Sequence, residues 1–297
     1  MNDSKAGARR KPDLFQRRGA EGRKAFLENS GASLRPAMNG RLAHENTFVP
    51  LFFGDWVRAV FMHYEVDAEL LQREVPFRLD LWEGKAFVSL VAFTMQRLRP
   101  RFGGLLGELV FKLISSTRFL NVRTYVTHRN EPGIYFIAEF LSNRLCVPLG
   151  PPTFGLPYRA GHLAFRHDHE HGVIEGLVES PGSRCRLAYR AMPVARAGFQ
   201  ACPSGTLDSF LLERYAAFTR CRNKHRSFHI GHPPWPQART EMTVQDEGLL
   251  ATTGEWVNHA RQIGGHYSPG VRNVRMGPPC RIPSPERRRR LTVFFDV

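Results

Sequence analysis

The sequence has few cysteines, and their spacing excludes two common kinds of site. Only five occur among 297 residues, and no two form a Cys-x-x-Cys pair. A disulfide framework or a structural zinc site needs closely organised cysteines, so neither is indicated. We therefore expect a reducing, cytoplasmic location. The cysteines are Cys146, Cys185, Cys202, Cys221 and Cys280.

Long apolar runs and phosphate-binding loops are also lacking. The most apolar stretch, Gly104 to Ile114, contains Glu108 and Lys112. It is much shorter than the roughly 20 residues of a membrane-spanning helix, so we predict no membrane span. The basic first residues are not followed by an apolar segment, so we expect no secretory signal. The absence of Gly-x-Gly-x-x-Gly and Walker motifs argues against a nucleotide-binding α/β fold.

Acidic residues are scarce relative to basic ones, with 27 Asp and Glu against 42 Lys and Arg and a net charge of +15. Such a charge attracts polyanions. Much of the excess lies near the ends, between Arg9 and Lys24 and from Arg287 to Arg290. No helix-turn-helix, zinc finger or aromatic RNA platform accompanies it. We interpret both runs as solvated tails and do not predict a nucleic-acid partner.

The composition divides the chain into three parts. Residues 1–45 are polar and basic, and we predict a disordered or partly helical extension there. Residues 46–283 have the apolar content of one folded domain, and residues 284–297 form an Arg-rich tail.

Within the central part, short β-rich runs alternate with turns. Asp67 can cap a helix that runs through Glu74, and residues 206–218 show apolar positions at helical spacing. Glycine-containing turns predict hairpins. Their arms are Arg78–Trp82 with Ala86–Gln96, Phe119–His128 with Ile134–Leu141, and Gly161–His169 with Val173–Glu179; further predicted strands are Arg184–Ala191, Glu241–Val244 and Leu249–Thr253.

Many short strands and few helices predict a mainly β (β-rich α+β) fold. We expect an antiparallel sheet that closes, or nearly closes, into a barrel or cone with a few peripheral helices.

Six sequence blocks occur in order between about residue 48 and about residue 282. They are Trp56 with Phe61-Met62-His63, Asn121 to Val126, Gly155-Leu156-Pro157-Tyr158, Leu212 to Tyr215, His232 to Pro236, and His266 to Gly270. Together they resemble the bacterial YqjF-like family, a domain of unknown function (2071) within the acetoacetate decarboxylase-like superfamily. The resemblance implies a β-barrel with a central cavity and no established activity. By analogy with the decarboxylases, it also implies a homo-oligomer.

The resemblance draws attention to the loop that ends in Tyr158 and Arg159. In decarboxylases of the superfamily the corresponding loop reads Gly-Phe-Pro-Lys-Lys, and one lysine forms a Schiff base with the substrate. A phenol cannot form an imine, so we expect no Schiff-base decarboxylation. We predict no cofactor.

Polar residues within these blocks are the candidate ligand-binding residues. Arginine recognises carboxylate or phosphate, and tyrosine or histidine can donate to a carbonyl, so we predict a small anionic or carbonyl ligand. The candidates are Arg123, Tyr125, Tyr158, Arg159, Glu213, Arg214, His232, His266 and Tyr267.

Arg123 is the residue expected to grip the anion, with Tyr158 and His232 as further contacts. Strand alternation places Arg123 and Tyr125 opposite the face of Val122 and Val126, facing a cavity or solvent. A structural role is the alternative, in which Arg123 forms a buried ion pair with Glu213.

His167, His169 and His171 alternate with acidic residues, a pattern that raises the question of a metal site. Alternate residues on a strand lie about 6.6 Å apart, too far for three collinear imidazoles to close a tetrahedral shell readily. We interpret the segment as a solvated hairpin and predict no metal.

The sequence thus favours a small-molecule-binding barrel. It does not decide between a binding protein and an enzyme such as an isomerase, hydratase or lyase. The alternative is a basic interaction protein that contacts nucleic acid or anionic lipid through its Arg-rich tails.

Overall fold

A computed structural model describes residues 48–104, 111–192 and 198–283. The predicted N-terminal extension and the Arg-rich tail lie outside the described residues. Within these ranges, strands dominate and helices are few and short. The strands are β1 (Phe52–Val66), β2 (Arg78–Leu79), β3 (Ala86–Pro100), β4 (Thr117–His128), β5 (Glu131–Leu141), β6 (Tyr158–Ala160), β7 (His162–Asp168), β8 (Val173–Glu179), β9 (Arg186–Ala191), β10 (Ala216–Cys221), β11 (Lys224–Gly231), β12 (Ala238–Thr240), β13 (Met242–Glu247), β14 (Arg261–Met276) and β15 (Cys280–Ile282).

Seven of these strands close into a ring. Hydrogen-bonded neighbours run in the order β14, β1, β3, β4, β5, β10 and β11. The ring is completed where Ile230 and Gly231 of β11 pair with Met276 and Arg275 of β14. Closure removes the exposed edges that an open sheet of this size would present.

Side-chain alternation along the ring strands separates two apolar cores. On β4, Phe119 and Tyr125 join the core inside the ring, whereas Leu120 and Val126 join a second core outside it. The outer core is covered by a four-stranded sheet in the order β13, β9, β8 and β7. Burial on both faces explains why β3 reads as a nearly continuous apolar run from Ala86 to Met95.

Among the described residues, short α-helices and 3₁₀ helices with defined bounds connect the strands. Their bounds are α1 (Ala68–Glu74), α2 (Gly150–Thr153), α3 (Leu207–Leu212), and the 3₁₀ helices Leu250–Thr253 and Glu255–His259. As predicted, the Asp67 carboxylate caps α1 by accepting hydrogen bonds from the backbone N–H groups of Glu69 and Leu70. None of the helices in the described ranges is long and apolar enough to cross a membrane.

The helix predicted over residues 206–218 is wrong in its second half. Thr206 caps α3, which ends at Leu212, and the chain then enters β10. Phe218 belongs to this strand and packs in the outer core. The apolar spacing that suggested one helix therefore arises from a short helix followed by a buried strand. The strand predicted at Leu249–Thr253 is likewise wrong, because that segment is largely 3₁₀ helix.

Two hairpins differ from the prediction. The turn at Glu83 and Gly84 exists, but β2 pairs with β4 and not with β3. The β4–β5 hairpin is confirmed, with its turn at Arg129 and Asn130, both at positive φ. Pro132 and Gly133, the expected turn residues, lie within β5. The hairpin of β7 and β8 is confirmed.

The predicted fold class is confirmed: a mainly β barrel with peripheral helices. Its pairings are antiparallel with two exceptions among the described strands, since β5 pairs in parallel with both β6 and β10. The parallel pairing with β6 brings the Tyr158 loop to the ring, where it helps to form the site described below.

Candidate functional site

The interior of the ring encloses about 80 Å³ of free space. About 10–15 Å³ of such space suffices for one water molecule, so the cavity can hold several waters or a small ligand. Aromatic and aliphatic side chains make up most of its wall, and polar side chains are concentrated on β4, β5 and β6. The lining residues are Trp56, Val91, Phe93, Met95, Phe119, Asn121, Arg123, Ile134, Phe136, Glu139, Leu156, Tyr158, Arg214, Phe228, Ile230, His232, Trp235 and Met276.

Asn121, Glu139 and Tyr158 form a polar row across three adjacent strands. Glu139 on β5 pairs with Asn121 on β4 and with Tyr158 on β6. The Glu139 backbone N–H also donates to the Pro157 carbonyl at 3.1 Å. Neither Oδ1 of Asn121 nor Oε2 of Glu139, both buried, has a hydrogen-bond partner among the described residues. Buried polar groups are normally paired, so this row is ready to accept or donate to a ligand.

Burial favours the neutral form of both ionisable members of this row. Glu139 is only 3% exposed, and desolvation raises the pKa of its carboxyl group well above the usual value. Desolvation also raises the pKa of the Tyr158 hydroxyl, and the nearby carboxyl of Glu139 raises it further. A protonated carboxyl and a phenol are both O–H donors, so the row offers two neutral donors in an apolar cavity.

Arg123 brings a positive charge to the same wall. Its Nη2 donates to the carbonyl of Leu211 at 3.2 Å, and its guanidinium lies 5.7 Å from the centre of the Phe61 ring. Its buried Nε has no hydrogen-bond partner among the described residues. Burial lowers the pKa of Arg123, but an arginine side chain stays protonated in proteins.

No carboxylate among the described residues lies within 4 Å of the Arg123 guanidinium. The expected ion pair with Glu213 is not formed. The Glu213 carboxylate instead accepts from the Tyr215 hydroxyl at 2.7 Å and from the Trp235 backbone N–H at 2.9 Å. A buried charge without a partner is costly, so Arg123 is the feature of this cavity that most needs an anion.

Arg214 also lines the cavity, but its charge is already paired. Its Nη1 donates to Asp80 at 2.7 Å, and Nε donates to the Phe210 carbonyl at 2.9 Å. The guanidinium stacks 4.1 Å from the centre of the Phe210 ring. These contacts fix Arg214 in place, while its buried Nη2 has no partner among the described residues.

His232 closes another side of the cavity among aromatic rings. Its ring lies near Trp56, Tyr215 and Trp235. Nδ1 lies 2.7 Å from the Pro233 carbonyl, and because a carbonyl only accepts, Nδ1 carries the proton. Burial lowers the pKa of His232, so the neutral ring is favoured. Among the described cavity residues, Arg123 therefore carries a charge that no carboxylate contacts directly, and the more distant Glu213 favours this charge only through space.

The predicted candidate residues fall into two groups. Four of them, Arg123, Tyr158, Arg214 and His232, line the cavity. Tyr125 lies next to it, with its ring against Arg214 and its hydroxyl 2.8 Å from the Leu211 carbonyl.

The remaining candidates lie elsewhere. Arg159 points away from the cavity and donates to the Thr252 carbonyl at 2.8 Å. Glu213 holds the segment around Trp235, as described above. The Tyr267 hydroxyl lies 3.0 Å from Nδ1 of His169 on the outer side of the ring. His266 is buried between His63 and Asp208.

Two cavity residues, Asn121 and Glu139, were missed from the sequence. Asn121 occupies the same face of β4 as Arg123 and Tyr125, so alternation could have found it. Glu139 is an isolated acid within the apolar run Ile134–Leu141, which is a usable signal for a buried functional carboxyl.

The histidine-rich hairpin differs from the solvated segment that we expected. His167 is 3% exposed and lies between the Arg58 carbonyl and the Tyr189 hydroxyl, each at 2.6 Å. His171 pairs with Asp168 at 2.8 Å in the turn. Across the ranges that the structure describes, no group of three or more histidine, cysteine, aspartate or glutamate side chains is arranged to hold a metal ion.

Sequence comparison assigns the family. The model of the DUF2071 family, described as an "Uncharacterized conserved protein", matches residues 54–272. The chain belongs to this family. It is 31% identical over 217 residues to "Uncharacterized protein YqjF" of Bacillus subtilis (strain 168), covering 70% of this chain and 86% of the relative.

Structural comparison shows that the DUF2071 chain has the acetoacetate decarboxylase-like fold. Acetoacetate decarboxylase from Legionella pneumophila superposes with a TM-score of 0.57 at 12% identity, covering 87% of this chain and 95% of that one. The enduracididine biosynthesis enzyme MppR complexed with pyruvate gives a TM-score of 0.57 at 12% identity, with coverages of 85% and 99%. At such identities the likeness concerns the fold alone.

Proposed function

We propose that this protein binds a small carboxylate that also carries a carbonyl group, such as a 2-keto or 3-keto acid, in the ring cavity. The observation that carries the proposal is the buried guanidinium of Arg123, which has no carboxylate partner within the described residues. A bound anion would supply the missing charge, and guanidinium binds carboxylates with strong, directional hydrogen bonds.

The polar row of Asn121, Glu139 and Tyr158 suits the carbonyl group of a ligand whose carboxylate binds Arg123. Glu139 and Tyr158 are neutral O–H donors, and a carbonyl oxygen is an acceptor only. Asn121 adds an amide that can donate or accept. A ligand with a carboxylate at Arg123 and a carbonyl at this row would pair groups that otherwise remain unpaired in an apolar cavity.

The size of the cavity supports a small ligand. About 80 Å³ of free space leaves room for only a few non-hydrogen atoms. The aromatic wall around Trp56, Phe93 and Phe119 would exclude water from the ligand, which strengthens each hydrogen bond inside. One protein of the same fold, MppR, has been described in complex with pyruvate, a molecule of this size and chemistry.

The proposal does not include Schiff-base chemistry. The sequence resemblance implies that Tyr158 takes the place of the reactive lysine of the decarboxylases, and no lysine among the described residues lines the cavity. Without an amine, no imine can form with the carbonyl carbon of a ligand. The proposed function is therefore binding of the intact keto acid through hydrogen bonds and charge.

The experiment is a thermal unfolding screen with small carboxylates, keto acids and phosphorylated metabolites, run on wild type, Arg123→Met and Arg159→Met. Arg159 is a matched control because it is a partly buried arginine that does not line the cavity. A ligand at 100 times its dissociation constant stabilises the fold by about 2.7 kcal/mol. We expect a rise in Tm for wild type and Arg159→Met that is lost in Arg123→Met. No shift with any carboxylate, or an equal shift in Arg123→Met, would refute the proposal.

A further inference from the structure

A chain of buried polar side chains runs from the cavity arginines to the α3 side of the barrel. The Tyr125 hydroxyl lies 2.5 Å from Oγ of Ser89, which lies 2.7 Å from Nδ1 of His63. Nε2 of His63 lies 3.0 Å from Nδ1 of His266, and Nε2 of His266 lies 3.3 Å from Asp208. Ser89, His63 and His266 are 0% exposed. Such a continuous buried chain is expensive unless every member is satisfied.

Both ends of the chain meet arginine side chains. At the inner end, Tyr125 shares the Leu211 carbonyl with Nη2 of Arg123, and the Arg214 guanidinium lies 5.1 Å from the centre of the Tyr125 ring. At the outer end, Arg239 grips Asp208 with two hydrogen bonds of 2.7 and 2.9 Å. The side chain of Arg239 is 26% exposed, so this end reaches solvent.

The geometry allows two arrangements of protons along the chain. Since a carboxylate only accepts, Nε2 of His266 carries a proton toward Asp208. In the outward arrangement both imidazoles are neutral. The Tyr125 hydroxyl donates to Ser89, and the Ser89 hydroxyl donates to Nδ1 of His63. Nε2 of His63 then donates to Nδ1 of His266.

The inward arrangement holds one additional proton, on Nδ1 of His266. His266 then donates to Nε2 of His63, Nδ1 of His63 donates to Ser89, and Ser89 donates to Tyr125. The Tyr125 hydroxyl is left to donate to the Leu211 carbonyl, the acceptor that it shares with Arg123. Moving from one arrangement to the other therefore changes the tautomer of His63.

We propose that Tyr125, Ser89, His63, His266 and Asp208 form a proton relay between the arginine side of the cavity and solvent. A proton accepted by the Tyr125 oxygen displaces the Tyr125 proton to Ser89, the Ser89 proton to Nδ1 of His63, and the Nε2 proton of His63 to His266. His266 is then doubly protonated, as in the inward arrangement, and its Nε2 proton leaves through Asp208 to water, after which both imidazoles are neutral and protonated on Nδ1. One proton enters and one leaves, and no covalent bond other than O–H and N–H changes.

The surroundings favour one mobile proton and not two. Burial lowers the pKa of His63, and the neighbouring His266 lowers it further, so both rings are not charged together. The ionisable groups that face the histidine pair are Asp208, Arg239, Arg123 and Tyr125. Burial raises the pKa of Asp208, but hydrogen bonds from His266 and Arg239 outweigh this effect, so its pKa lies below the ordinary value.

The test is the tautomer of His63, followed by ¹H–¹⁵N NMR in ¹⁵N-histidine-labelled, ligand-free protein between about pH 5 and pH 8. His63→Gln and His266→Gln assign the signals. As the pH falls, we expect the proton on His63 to move from Nε2 to Nδ1. The measurement uses no ligand, so its outcome is separate from that of the proposed function.

His167 is an internal control, because its Nδ1 faces the Arg58 carbonyl and must keep its proton at every pH. Ser89→Ala removes the acceptor that the inward arrangement needs, so the midpoint should fall by roughly half to one pH unit. Ser268→Ala, at another fully buried serine, should leave it unchanged. A His63 ring that keeps one tautomer over the whole range would overturn the relay.

Discussion

Glu139 and Tyr158 are partners on the parallel strands β5 and β6, and burial in the apolar cavity that they share raises the pKa of both side chains. The sequence resemblance implies that Tyr158 takes the place of the reactive lysine of the decarboxylases. In this chain the phenol lies next to a carboxyl group whose neutral form is favoured by burial.

The raised pKa of Glu139 predicts a pH-dependent stability. The carboxyl binds its proton more tightly in the folded state than in the unfolded state. The stability that this proton contributes is fully present below the pKa of the unfolded state, about 4.3. It is lost as the pH rises through the pKa of the folded state. Glu139→Gln removes this loss. The free energy of unfolding of Glu139→Gln, measured in urea, should rise relative to that of wild type by up to about 1.4 kcal/mol per pH unit above about pH 4.3.

Glu175→Gln is the control for this series, because Glu175 lies on the surface and pairs with Arg190. Its difference from wild type should stay nearly constant above about pH 5. An equal pH dependence in wild type and Glu139→Gln would show that Glu139 is ionised in the folded protein.

In the absence of a ligand, Arg123 should lower the free energy of unfolding of the protein. Replacing it with methionine removes a buried charge that contacts no carboxylate among the described residues, and the Tyr125 hydroxyl can donate to the Leu211 carbonyl in its place. We expect Arg123→Met to unfold in urea with a free energy about 1–4 kcal/mol higher than wild type. Arg159→Met should be neutral or slightly destabilising. A large loss of stability in Arg123→Met would instead assign Arg123 the structural role considered from the sequence.

Wild-type protein should not form an imine with a keto acid. Borohydride added with pyruvate or acetoacetate should leave its mass unchanged, because a trapped adduct needs a nucleophilic amine in the cavity. In Tyr158→Lys, the Glu139 carboxyl would pass its proton to the amine and keep it as an unreactive ammonium.

The double variant Tyr158→Lys with Glu139→Gln removes that proton source. The buried amine should then have a lowered pKa through desolvation and form an adduct that mass spectrometry detects at position 158. An adduct in wild type, or none in the double variant while the fold is retained, would contradict this account of the cavity.

Local patterns predicted much of the barrel and part of the site. The capping residue Asp67 and the apolar residues that follow it predict α1. Alternation along β4 correctly placed Arg123 and Tyr125 on the face opposite Val122 and Val126. Alternation works here because both faces of β4 are buried and a register slip would exchange the two cores.

Features that depend on distant pairing were not predictable. The segment after Leu212 becomes a strand because β10 completes the ring between β5 and β11, a tertiary requirement that overrides its helical spacing. His63 and His266 lie 203 residues apart in sequence and meet only because β1 pairs with β14. No pattern near either histidine indicates the other.

The central claim is that Arg123 holds a carboxylate in the cavity, and the most direct measurement is calorimetric titration of wild type with pyruvate and with its neutral amide, pyruvamide. Both have nearly the same shape and carbonyl, and only pyruvate is an anion. Because a charge-assisted hydrogen bond contributes about 1.5–3 kcal/mol, pyruvate should bind saturably and at least about tenfold more tightly than the amide. Equal affinities, or no saturable heat with pyruvate, would contradict the claim.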